Sequence, residues 1–205
     1  VLVYGDYDVD GTTSVAMMYS FLKKKVKEIE YYIPCRYDEG YGISLKGIDY
    51  AKDNNFALII ALDCGIRAVN QVDYANKKGV DFIICDHHNP GEKVPEAVAI
   101  LNPKQIDCNY PYKELSGCGV GFKLIQAFSQ QNNIDFSEIM EYLDLLTVSI
   151  GADIVPMTGE NRVFSFYGLQ QINKTPRVGL KALMEIANKT KDVTITDVVF
   201  GVAPR

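Results

Sequence analysis

A chain of 205 residues with 47% hydrophobic and 23% charged side chains falls among ordinary soluble globular proteins and can bury one large core. No run approaches the ~20 apolar residues of a membrane span, and no basic stretch leads into an apolar one at the start, which argues against a membrane role. The formal net charge of −5 gives no general pull towards nucleic acid, although it permits a local basic groove.

In chain order, "VLVY" (1–4) reads as a strand, and 12–25 carries apolar residues at helical spacing with a lysine-rich end suited to a helix C-terminus. "IEYYIP" (29–34) is strand-like and stopped by Pro34, and 44–55 reads as a helix with Ser44 as its N-cap. "FALIIALD" (56–63) is a continuous apolar run, the mark of a strand buried on both faces. A helix is expected over 66–78, then strands at 80–86 and 97–103. Strand alternating with helix predicts an α/β fold, a parallel sheet with helices on both faces. From residue 119 the pattern turns helical, over 119–131, 137–151, 161–173 and 177–188. Residue 1 already lies inside a strand without an initiating methionine and "GVAPR" closes the chain without a stop signal, so a piece of a longer protein is expected. The five cysteines (Cys35, Cys64, Cys85, Cys108, Cys118) form no C-x-x-C pair, which argues against a disulfide framework or zinc knuckle and fits a reducing, cytoplasmic setting.

Three acidic clusters share one address. Asp6, Asp8 and Asp10 follow the first strand, Asp63 closes the third, and Asp86 with His87 and His88 closes the fourth. Ligands of open α/β sheets bind outside the carboxyl ends of the strands, so the clusters should meet on one edge. Singly, each reads as an Asx-turn; jointly, with the chain's two histidines side by side, they read as a cation site. Carboxylates plus imidazole suit Mn²⁺, Mg²⁺ or Fe²⁺. Their number exceeds one cation's needs and suits two ions ~3.5–4 Å apart, an arrangement fit for phosphoryl chemistry. Asp153, in "SIGADIVP", is either a further ligand or a solvated helix end. Arg36 either clamps a phosphate or pairs with Asp38 or Glu39, and "SGCGVGFK" (116–123) either binds an anion or makes a tight helix entry. Lys23, Lys24, Lys25 and Lys27 read as a solvated helix end, and Tyr37 and Tyr41 lie where they can stack on bases.

The motif "DHH" at 86–88, with D-x-D-x-D-G at 6–11 and the strand ending in Asp63, resembles the DHH phosphoesterase superfamily. More narrowly, "GDYDVDGTTS", "RYDEGYGIS", "LDCGI", "CDHHNPG", "LNPKQIDCNYPYKELSGCGVGFKL", "GADIVPMTGENR" and "GVAPR" together resemble the catalytic core of the RecJ family of single-stranded-DNA-specific exonucleases, in order over residues 1–205. The resemblance implies a parallel five-stranded sheet flanked by helices, with residues 1–155 as catalytic domain and 156–205 as a helical extension towards a second domain outside this chain. It implies 5′→3′ hydrolysis of single-stranded DNA in repair and recombination, with two Mn²⁺ or Mg²⁺ ions. A single-strand-binding protein or a helicase is the implied partner. By position it assigns metal binding to Asp8, Asp10, Asp63, His87 and Asp153, with Asp63 as the bridge and Asp6 in the same acidic motif. Asp86 then supports the ligands, His88 faces the scissile phosphate beside Asp63, and Arg36 and Arg205 contact phosphate. A related oligoribonuclease, nucleotide phosphatase or pyrophosphatase is the first alternative. A silent nucleic-acid-binding scaffold is the second, against which every expected aspartate and histidine is present.

Overall fold

The computed structural model describes residues 1–205. Five parallel strands, β1 (Leu2–Gly5), β2 (Glu30–Tyr32), β3 (Leu58–Leu62), β4 (Asp81–Cys85) and β5 (Ala99–Leu101), form one sheet in the order β2-β1-β3-β4-β5. The chain leaves β1 on one side to make β2 and returns on the other to make β3, so the strand order reverses at β1 and opens a crevice there.

Alternation of side chains along each strand builds two cores. Val3, Ile60 and Leu62 point to one face, where α1 (Val9–Leu22) and α4 (Gly117–Gln131) supply Met17, Phe21, Phe122 and Ile125. Leu2, Tyr4, Ile59 and Ala61 point to the other, against Ile48 and Ala51 of α2 (Leu45–Asp53) and Val72 and Ala75 of α3 (Val69–Lys78). Each fully buried Leu, Ile or Phe contributes about 1.5–3 kcal/mol, so the unbroken apolar strands follow from having no solvent face.

Helix α1 begins at Val9, earlier than periodicity suggests, because the Asp8 carboxylate caps it by accepting the Gly11 N–H (2.8 Å). At its far end Lys24 and Lys25 pair with Glu141 (2.6 Å) and Glu138 (3.8 Å), surface pairs worth at most ~1 kcal/mol each. The expected helix over 137–151 is two helices, α5 (Phe136–Met140) and α6 (Leu143–Ala152). The carbonyl that the break orphans, on Glu141, accepts from the Gln171 amide (2.7 Å) and from the Arg177 guanidinium.

Helix α6 is buried along its whole length up to Gly151, which accounts for its apolar sequence. Leu143, Leu146 and Ile150 join the sheet core, whereas Val148 joins a third cluster with Ile172, Leu180, Met184, Val193, Val198 and Val202. That cluster seats α7 (Gly159–Lys174), α8 (Val178–Ile186), a short α9 (Ile195–Asp197) and a π-helical turn (Val198–Val202). The last two were not foreseen in the sequence pattern. No helix is long and apolar enough to cross a membrane.

Candidate metal centre

The acidic clusters meet over β1, β3 and β4, and α6 brings a fourth group from distant sequence. Asp63 leaves β3 with φ of 59°, a left-handed conformation that Asp and Asn tolerate better than most residues. Behind it stands Gly117, where a Cβ would lie 2.4 Å from Asp63 Oδ1 and 2.7 Å from its Cα. The site therefore requires glycine at the start of α4.

Asp10, in the first turn of α1, is 3% exposed and its carboxylate has three donors: Gly117 N–H (2.7 Å), Cys118 N–H (2.8 Å) and Ser149 Oγ (2.7 Å). The N-terminus of α4 does bind an anion, and the anion is Asp10. Because Ser149 gives its proton to Asp10, Ser116 donates to Ser149 (2.6 Å) while its own oxygen caps α4 by accepting Gly119 N–H.

His87 Nε2 lies 3.3 Å from Asp63 Oδ1, 3.5 Å from Asp153 Oδ2 and 3.8 Å from Asp10 Oδ2. Neither ring nitrogen of His87 has a hydrogen-bond partner, nor has Asp63 Oδ1, although all three atoms are buried. Orphaned buried polar atoms are uncommon and cost several kcal/mol unless a ligand satisfies them. Burial, then the charges of Asp10 and Asp8, push the Asp63 carboxyl up to about 12. Burial likewise raises Asp10, and it raises Asp153 with Asp10 adding to it. So many carboxylates do not ionise together without positive charge among them, and divalent cations supply it. The donors fit Mn²⁺ or Mg²⁺: carboxylate oxygens with imidazole, in two groups, Asp10–His87–Asp153 and Asp63–His87–His88, that share His87. Asp153, the exposed C-cap residue of α6, thus stands within reach of His87 and Asp10 in one of the two candidate groups.

Asp86 supports this arrangement from behind. Its Oδ1 accepts from the N–H groups of His87 (2.7 Å) and His88 (3.0 Å) and from His88 Nδ1 (2.7 Å), and its Oδ2 from Ile66 N–H (2.9 Å). Burial alone would raise its carboxyl, but the bonds from His88 and the backbone hold it below the usual range. The same bond raises the His88 imidazole against the opposing effect of burial. With Nδ1 so engaged, Nε2 is left facing the Tyr41 hydroxyl at 3.5 Å.

The other sequence-derived candidates sort differently. Asp8 spends one oxygen on its helix cap yet lines, with Asp10 and Asp153, a cavity of about 250 Å³. Asp6 is fully buried and accepts from Tyr7 N–H (2.7 Å) and Gly42 N–H (2.9 Å), tying the 41–42 loop to β1; neither ligand group includes it. Arg36 forms no pair with Asp38 or Glu39; its guanidinium stacks 4.6 Å over Tyr7, between Asp6 and Asp8. Tyr41 sits edge-on to Tyr7 and to His88, whereas Tyr37 points to solvent. The Arg205 guanidinium donates to the Gly201 carbonyl, while its neighbours Ala203 and Pro204 line the same cavity as Asp8, Asp10 and Asp153. Ser149, Gly117 and Tyr7 were missed; "SGCG" carried a signal for Gly117, and nothing local marks Ser149.

The fold and sequence recur in known proteins. Over 207 residues the chain is 41% identical to the single-stranded-DNA-specific exonuclease RecJ of Bacillus subtilis, covering 100% of this chain and 25% of that protein. RecJ of Escherichia coli is 36% identical, with 100% and 38% covered, so the chain spans well under half the length of these relatives. A crystal structure of exonuclease RecJ bound to manganese superposes with a TM-score of 0.87 at 31% identity, over 99% of this chain and 51% of that one. Residues 1–150 match the N-terminal domain of the DHH family, sheet and acidic edge included, and the chain belongs to that family.

Proposed function

We propose that this chain is the catalytic part of a metal-dependent, 5′→3′ exonuclease of single-stranded DNA, acting in the cytoplasm in repair and recombination. One observation carries the reading: a buried imidazole with both nitrogens unpartnered stands 3.3–3.8 Å from three carboxylates at the carboxyl edge of the sheet. The RecJ relatives, one of them bound to manganese, point to the same chemistry. Asp10, Asp63, His87 and Asp153, together with Asp8, would hold two Mn²⁺ or Mg²⁺ ions. When bound, such ions polarise a phosphoryl oxygen and make water a better nucleophile.

The protein's own groups do the rest. Asp86 fixes the imidazole of His88 so that its outward nitrogen can donate to a non-bridging phosphate oxygen, a bond that strengthens as charge develops. Arg36, whose guanidinium lies 4.6 Å over the Tyr7 ring, would hold the 5′-terminal phosphate. The free thiols of all five cysteines suit a reducing compartment. Residues 156–205 are read as the connector to a further domain, and a single-strand-binding protein or helicase as the source of substrate.

Asp63→Ala in the full protein is expected to abolish Mn²⁺-dependent release of nucleotides from 5′-phosphorylated single-stranded DNA. Asp63→Asn, which keeps the left-handed turn, is expected to do the same with no loss of fold. Unchanged turnover in either variant sinks the reading; preference of the wild type for short RNA, 3′-phosphoadenosine 5′-phosphate or pyrophosphate moves it to another member of the family's chemistry.

A further inference from the structure

Beside the metal centre a cavity of about 470 Å³ holds cations that the chemistry above leaves idle. Its size falls in the ~300–1,000 Å³ range of small-ligand pockets, enough for a nucleotide unit. Arg67, after β3, and Lys104, after β5, line it together with His88 and Gln71. Neither cation pairs with a carboxylate. The one acidic residue on the wall, Asp86, is already engaged by His88 and three backbone N–H groups.

Both cations stand on fixed backbone. Arg67 Nε donates to the Asn89 carbonyl (2.7 Å), which leaves the two terminal guanidinium nitrogens without a partner in the chain. Asn102, 3% exposed, donates to the His88 carbonyl (2.8 Å) and accepts the Lys104 N–H (2.8 Å), so Lys104 and His88 are locked in register. Helix α3 opens on the same space through Ala68 and Gln71, and its N-cap residue Ala68 supplies no side-chain bond to the first-turn N–H groups. The occupant that satisfies two cations and free N–H groups at once is an anion with several oxygens.

We propose that this cavity is a second phosphate subsite, where Arg67 and Lys104 hold the backbone phosphate next to the scissile one on the strand. The inference rests on the nuclease reading of the metal centre, since it takes His88 as the neighbour of the scissile phosphate. Holding two consecutive phosphates sets the register of the strand, so that each step presents the next diester to the same atoms.

The test is binding without metal. Fluorescence anisotropy of a labelled single-stranded oligonucleotide with the full protein, in EDTA and over a range of salt, compares the wild type with Arg67→Gln/Lys104→Gln. Loss of two phosphate contacts is expected to weaken binding at least ~10-fold at low salt and to flatten the slope of log K against log salt by ~1.4. The charge-conserving Arg67→Lys/Lys104→Arg pair is expected to keep the wild-type slope, which separates charge from misfolding. An unchanged slope in the Gln variant, or an equal loss in the conserving one, overturns the proposal. Displacement of the oligonucleotide by inorganic phosphate in the wild type but not in the Gln variant reassigns the cavity to free phosphate and also overturns it. A wild type that binds in EDTA and still does not cleave once the EDTA is replaced by Mn²⁺ refutes the nuclease reading separately.

Discussion

At the scale of single residues, the centre depends on groups that carry no charge. Gly117 donates its N–H to Asp10 and leaves room for Asp63, and a methyl group there meets the Cα of Asp63, which side-chain rotation does not relieve. Gly117→Ala is therefore expected to weaken Mn²⁺ binding ~10–100-fold, the range for outer-shell losses, read by titration calorimetry on the full protein. Ser149→Ala removes one of three donors to Asp10 and should fall at the lower end of that range. Wild-type affinity in both would show that Asp10 needs no such positioning. These residues also mark where the sequence stops being legible. The aspartates and histidines are visible because their chemistry is rare at strand ends, but Ser149 looks like any helix serine until the fold brings it to Asp10. Asp8 misleads in the other direction, since a cap and a ligand are the same residue type at the same place.

At the scale of elements, the strands were legible and the helix junctions less so. An apolar run of five residues between helices has one economical explanation, and β3 and β4 fall inside their expected ranges. The break between α5 and α6 has no Pro or Gly to announce it; its orphaned carbonyl is satisfied by Gln171 and Arg177, from other helices. The crossing of α6 and α7 is likewise set by a residue that periodicity ignores. A Cβ at Gly168 would stand 2.0 Å from Thr147 Oγ1 and 2.2 Å from the Leu143 carbonyl oxygen. Gly168→Ala is expected to force the helices apart at a cost of about 1–3 kcal/mol, the usual penalty for overpacking. In a protein of this size each kcal/mol lowers Tm by about 2–4 °C, measured by scanning calorimetry. Because α6 carries Asp153, the same variant should also weaken Mn²⁺ binding; stability lost with affinity intact would uncouple α7 from the centre.

At the scale of the whole molecule, the metal centre draws α1, β3, β4 and α6 together, so cation binding and folding are coupled. The sign of the pH dependence follows from which carboxyls are raised. Asp63, Asp10 and Asp153 take up protons more readily in the folded metal-free protein than in the unfolded chain. Their contribution is therefore fully present below the ordinary carboxylate range of about 4 and falls as pH rises above it. For Asp63 that loss continues up to its folded value of about 12. Asp86, held low, acts oppositely: its contribution is present above the ordinary range and disappears as pH falls. Cations reverse the first effect, because they bind the deprotonated carboxylates and gain affinity as protons leave. Mn²⁺ at a hundredfold excess over its Kd should add about 2.7 kcal/mol to stability, and the rise in Tm on adding a fixed Mn²⁺ concentration should grow between about pH 5 and about pH 8. Asp63→Asn removes the raised carboxyl, so the variant's metal-free Tm should depend less on pH than the wild type's, and its response to Mn²⁺ should shrink. Equal Mn²⁺ responses at both ends of the pH range would mean that the carboxyl edge of the sheet does not hold the ions.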